Sequence, residues 1–142
     1  MKNIQQTRLY YKTNRYGMTA EPLAYYWGLV GGRPKFQLRS TGLWRSYIGS
    51  WRVTKERLYL IGLEGGFEDG SELTLEALFP GYPERVFAHW FSGRVRLPQG
   101  NLIEYTHAGY ASVYEADLFL DFEDGVLVRE ELRSNLPEAQ KL

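Results

Sequence analysis

Cysteine is absent from the chain. That removes a disulfide framework, a thiolate metal site and a cysteine nucleophile together. Histidine is scarce as well, so imidazole chemistry rests on His89 and His107 alone. No apolar run is long enough for a membrane-spanning helix. The opening Met1-Lys2-Asn3-Ile4-Gln5-Gln6 has one lysine and no apolar stretch behind it, so no secretory signal is expected and a cytoplasmic location is the default. There is no G-x-S-x-G elbow, Walker loop, dinucleotide fingerprint or H-E-x-x-H spacing. Gly62-Leu63-Glu64-Gly65-Gly66 lacks a following helix that would hold a phosphate. Internal repeats and a Pro/Ser-rich linker are also missing.

What remains is 142 residues, the size of one domain. The expected layout is a β-rich domain over residues 1–133 and a frayed tail over 134–142, where periodicity stops. A chain of this length buries roughly 68–70% of its unfolded surface and needs no covalent or metal staple. Aromatic residues make up 15% of it, led by 11 tyrosines, which favours pleated, half-buried surfaces. The formal net charge is zero, but it is unevenly placed. Residues 1–60 hold eleven Lys/Arg against two Asp/Glu; residues 61–142 hold six against fifteen. Either the two halves pair charges across neighbouring strands, or the molecule has one basic and one acidic face.

Short strands recur between turn signals. Leu9-Tyr10-Tyr11 and Tyr16-Gly17-Met18 flank a first turn at Thr13-Asn14-Arg15. Beyond it, Thr19 can cap a short helix with Leu23 and Trp27 on one face, or Tyr25-Tyr26-Trp27 can be strand. Lys35–Arg39 alternates as a half-buried strand. Leu43–Val53 precedes a turn at Thr54-Lys55-Glu56-Arg57, and Leu58–Leu63 reads as a central strand covered on both faces. Thr74 is placed to cap a single helical turn over Leu75–Phe79. Val86–Phe91 reads as strand. Arg94-Val95-Arg96-Leu97 alternates with its arginines outward, Pro98–Asn101 reads as a turn, and Leu102–His107 as the returning strand. In the last hairpin a three-residue loop, Glu123-Asp124-Gly125, would pair Phe122 with Val126 and Leu120 with Val128. The fold class is therefore mainly β (β-rich α+β): an antiparallel sandwich, curved sheet or partly open barrel with one or two short helices.

Candidate sites fall in two places. In Trp44–Trp51, Arg45 shares its parity with Tyr47, Trp51 and Val53. An inward Arg45 would need a carboxylate or an anionic ligand, whereas a bulge at Gly49 would free it to the surface. Arg45, Tyr47, Trp51 and Tyr105 are thus the ligand-binding candidates. The second place is Glu104–Asp117, where His107, Tyr110 and Glu115 can move protons or bind polar groups, with His89 as a further catalytic candidate. His89 also fits a core position between Phe87 and Phe91, and the tyrosines also fit a plain polar surface. Neither a metal nor a cofactor is expected. Arg33, Lys35, Arg39, Arg45 and Arg52 interleave with Phe36, Trp44, Tyr47 and Trp51 as in single-strand binders, but a pI of about 6.7 weighs against nucleic acid.

Gly49-Ser50-Trp51 matches the lipocalin G-x-W pattern, but an eight-strand meander needs more residues than follow it. Trp44–Trp51, Arg57–Leu60, Val86–Gly93, Pro98-Gln99-Gly100 and Tyr105–Tyr110 together resemble a bacterial family of small uncharacterised proteins. The resemblance implies a bacterial, cytoplasmic protein and carries no catalytic residues with it. With charge polarised and no complete catalytic signature, the expected function is a non-enzymatic protein-binding module, with toxin-neutralising immunity proteins as one concrete case. The alternative is a small enzyme or polar-ligand binder centred on His107, Tyr110 and Glu115. The expected partner is another protein, or a second copy if an aromatic sheet face is exposed.

Overall fold

The computed structural model describes residues 7–18, 20–36, 47–104 (backbone alone at Glu104) and 113–136. Eight strands and two short helices follow one another as β1 (Arg8–Tyr11), β2 (Asn14–Gly17), α1 (Pro22–Val30), β3 (Tyr47–Thr54), β4 (Arg57–Gly65), α2 (Leu75–Leu78), β5 (Val86–Phe87), β6 (Gly93–Glu104), β7 (Val113–Glu123) and β8 (Val126–Ser134). They form one curved sheet in the order β2-β1-β3-β4-β8-β7-β6, with β5 also on β4. Only β1 and β3 run parallel among the described pairs, so the sheet is mixed. Its two ends, β2 and β6, curl towards each other.

Alternation explains the core. Leu9, Trp51, Leu58, Leu60, Val95, Leu97 and Leu120 point to the concave side and are fully buried, joined by Phe91 and Phe122. Each such side chain contributes about 1.5–3 kcal/mol by leaving water. Helix α1 plugs one end of this concavity. Pro22 pre-sets its first turn, Leu23 and Trp27 are its buried face, and Gly31 ends it in the left-handed conformation. The helical alternative for this segment therefore holds, although the position before the helix is Glu21, with no side-chain cap. Thr74 caps α2 by accepting from the Ala77 amide at 3.1 Å.

Three local expectations need correction. The Val86–Phe91 strand stops at Phe87, because the Phe91 amide turns back to the Ala88 carbonyl at 3.1 Å. Pro98–Asn101 is no reversal: β6 continues through it as far as Glu104, partnered by the long β7, so Leu102–Glu104 belong to the same strand, while Tyr105–His107 lie outside the described residues. Gly100, at φ 79°, takes up the irregularity as a bulge. In the last hairpin the loop has two residues, Asp124-Gly125, both left-handed at φ 49° and 82°. Phe122 pairs with Leu127, and a bulge then leaves Val128 unpaired and exposed rather than opposite Leu120. Finally, of Lys35–Arg39 and Leu43–Val53, the structure describes Phe36, bridged to Phe67, and the strand from Tyr47; the rest lies outside the described residues.

Strand β8 meets β4 at a single ladder pair, Arg57 with Val126, and then extends past the β3–β4 turn. From Val128 onward its ladder partner is β7 alone among the described residues. The β3–β4 turn itself holds two non-glycine residues, Lys55 and Glu56, at positive φ (51° and 66°).

Candidate functional site

Arg45, Tyr105, His107 and Tyr110 lie outside the described residues. The others can be placed. His89 is exposed in the turn after β5, its ring 5.4 Å from Trp90 and 6.4 Å from Phe87, so it is not the core residue that strand parity suggested. Glu115 sits near the start of β7, where it accepts from the Asn101 side-chain amide at 3.3 Å. The turn holding His89 is tied to the other end of β7, through the Gly125 amide and the Phe91 carbonyl at 2.7 Å. Eight residues of strand separate these ends, about 26 Å. The structure does not bring His89 and Glu115 together.

Tyr47 and Trp51 are buried, with protein rather than solvent around them. The Tyr47 hydroxyl accepts from the Trp27 indole and donates to Glu21, both at 3.3 Å; Thr7 donates to the same carboxylate at 2.8 Å. Arg33 covers the Tyr47 and Phe36 rings, 5.6 and 4.9 Å from their centres. Trp51 is fully enclosed, and its indole N–H finds no acceptor among the described residues. The bulge expected at Gly49 lies instead on the partner strand: Ile61 of β4 is the extra residue opposite Ser50 and Trp51, so β3 keeps its parity from Tyr47 to Trp51. Gly49 is needed for that packing, since a Cβ there would stand 3.0 Å from the indole nitrogen.

The structure also brings together residues that sequence reasoning did not. Glu130 stands opposite Leu120 on the inward side of β8, and Tyr11 reaches it from β1 with its hydroxyl donating. Burial first, and the Glu130 carboxylate second, push the Tyr11 hydroxyl well above its ordinary value, which keeps it a proton donor. Around this pair opens a cleft of about 500 Å3 that also includes Lys12, Lys55, Glu56 and Arg129. Lys12 adds an ion pair to Glu130 at 3.7 Å. A carboxylate breaking the apolar parity of β8 was the available signal, but its partner is 119 residues away in the chain.

Another surface forms where the two helices meet. The Tyr26 ring of α1 packs on Phe79 at 5.1 Å and on Trp90 at 4.8 Å. Leu29 and Val30, three and four residues on, share that side of α1 and are exposed, as is Tyr82 just past Phe79. This apolar ground borders an acidic stretch. From Leu58 to Glu84 there is no Lys or Arg, while Glu64, Glu68, Asp69, Glu72, Glu76 and Glu84 are all exposed. Of these six, only Glu64 has a cation, Arg8 at 2.9 Å, among the described residues. Asp69 is held below the usual carboxylate range by the Ser71 hydroxyl and amide.

Among the described residues, no His, Asp and Glu side chains cluster closely enough to hold a metal ion. No described helix is long and apolar enough to cross a membrane. No family model, curated protein or solved structure matches the chain.

Proposed function

We propose that the protein is a non-enzymatic binding module of the bacterial cytoplasm that docks onto another protein through the α1–α2 surface. The observation that carries this reading is the exposed Leu29, Val30 and Tyr82 beside an acidic stretch in which, among the described residues, only Glu64 has an ion-pair partner. An apolar centre with a charged rim is the anatomy of a protein interface, and the rim selects a basic partner and speeds its approach. A toxin with a basic, nucleic-acid-binding surface is one partner of that chemistry. The final hairpin, acidic by composition, is a poorer candidate, because Asp117, Asp121 and Glu131 are paired with Arg96 and Arg94 of β6 and Arg133 of β8. The separation of His89 from Glu115 removes His89 as a second member of the alternative site around His107, Tyr110 and Glu115.

The test compares tagged wild-type protein with L29D/Y82S and E68S/E72S/E76S variants in lysate of the source cell. The expected result is one stoichiometric basic protein that the wild type retains and both variants lose. A partner kept by both variants would move the interface elsewhere. A small molecule retained without any protein partner, seen by native mass spectrometry, would sink the reading.

A further inference from the structure

The convex face of β2, β1, β3, β4 and β5 carries a row of side chains in register. Arg15 pairs with Tyr10, Tyr10 with Arg52, Arg52 with Tyr59, and Tyr59 with Phe87. Cations and rings thus alternate across neighbouring strands, and two more arginines join from the side. The guanidinium of Arg52 lies 5.2 Å from the Tyr10 ring centre, that of Arg85 4.1 Å from Tyr59, and that of Arg57 5.6 Å from Phe87. The Tyr59 and Phe87 rings are 5.8 Å apart. Arg15, Arg52, Arg57 and Arg85 are all exposed, and none has a carboxylate partner among the described residues.

We infer that this face binds single-stranded nucleic acid. A guanidinium stacked on a ring is already ordered, with its second face and its N–H fork open to solvent. Bases stack on such planes and on aromatic rings, while the forks take phosphate oxygens. Four strand spacings span about 19 Å, room for roughly four to six nucleotides at a stacked rise of about 3.4 Å. A duplex hides its base faces and leaves the rings unused, so the alternation selects a single strand. The zero net charge is no obstacle, because most balancing carboxylates lie in the 64–84 stretch and in the ion pairs of β6–β8, and Glu64, which shares this face, is taken by Arg8 at 2.9 Å. This is not the set of residues that composition alone suggests, since Tyr47 and Trp51 are core and only Arg52 is shared.

The test is fluorescence polarisation with a labelled mixed-sequence 12-nucleotide strand, as RNA and as DNA. The same strand annealed into a duplex, polyglutamate and anionic phosphatidylserine vesicles serve as competitors. With four phosphates neutralised, affinity for the strand should fall about 50-fold between 50 and 200 mM salt. R52S/R85S should bind at least about tenfold more weakly and lower the salt slope by about 1.4. Tyr59→Leu should weaken binding with the slope unchanged, a sign of lost stacking rather than lost charge. Lys35→Ser should change nothing, and circular dichroism should show every variant folded. Absence of strand binding at 50 mM salt overturns the inference, as does an unchanged R52S/R85S. Equal competition by the duplex or vesicles would reduce the face to a charged surface. Stronger competition by polyglutamate would assign it to an acidic protein instead.

Discussion

The arginines of β6–β8 and Arg52, Arg57 and Arg85 of the convex row live in opposite surroundings within one sheet. On β6–β8, Arg94 holds Asp121 at 2.7 Å and Glu131 at 3.2 Å, Arg96 holds Asp117 at 2.8 Å, and Arg133 holds Glu131 at 3.0 Å. Phe119 lies between the Arg94 and Arg133 guanidiniums, 4.6 and 4.9 Å from them. In the convex row of β1–β5, Arg52, Arg57 and Arg85 rest on rings and find no acid among the described residues, whereas Arg8 of β1 is held by Glu64 at 2.9 Å. Cation–ring contact is therefore common to both halves, and what separates them is the carboxylate. Where it is present, the arginine's fork is occupied and the face is closed to an anionic ligand. Where it is absent, the fork stays available.

The comparison can be broken most severely through the core that both halves share. Leu60→Ala on β4 and Leu120→Ala on β7 should each cost about 3 kcal/mol in urea denaturation. Each should leave a single transition, and two separate transitions would show that the halves fold independently. Next in size is Tyr11→Phe, which removes the hydroxyl joining β1 to Glu130 of β8, at about 1 kcal/mol. Because the folded-state value of this hydroxyl is raised, its contribution is present at neutral pH and is lost as pH climbs above about 10. The gap between wild type and Tyr11→Phe should narrow there.

A smaller effect distinguishes the paired half by pH. Hydrogen bonds from Arg94 and Arg133 hold Asp121 and Glu131 respectively below the usual carboxylate range. Their folded values lie under their unfolded ones, so the stability they add is present above about pH 4 and lost as pH falls through the folded values. The dependence of melting temperature on pH from 6 to 2.5 should be shallower for D121N/E131Q than for wild type, and the difference should shrink in high salt, because both carboxylates are partly exposed. Smallest of all, Arg52→Ser should shift stability by no more than about 0.5 kcal/mol. A larger loss would mean that the open face is held together by its arginines rather than kept ready by them.

Much of this fold was legible because it is written in local parity. Leu23 and Trp27 marked the helical face, Thr74 marked a cap, and Arg94 and Arg96 declared themselves outward beside Val95 and Leu97. The errors came where one extra residue changes parity without a local sign. Val128 is such a residue, and it made the three-residue loop look necessary. The surfaces were harder to read. Alternation tells which side of a strand Tyr10 or Tyr59 occupies, but Arg52 lies between them only because β1 pairs with β3 and β3 with β4. That pairing is decided by the packing of Leu9, Trp51 and Leu60 in three dimensions. The same holds for Tyr11 and Glu130. Arg45, Tyr105, His107 and Tyr110 fall outside the described residues, so the alternative site they suggested is represented here by His89 and Glu115 alone.

The part of β8 that outruns β4 has a bearing on how the protein behaves when concentrated. Among the described residues this edge has no neighbouring strand; such an edge is a template for further strands, and Val128 and Leu132 make it more adhesive by being 54% and 68% exposed. Between and beside them stand Arg129, Glu130, Glu131 and Arg133, so an incoming strand must desolvate a charge at nearly every step. These charges act as gatekeepers against fibre growth. Replacing Glu130 and Arg133 together by threonine should leave the monomer's fold in place while making it precipitate from solutions in which the wild type stays clear.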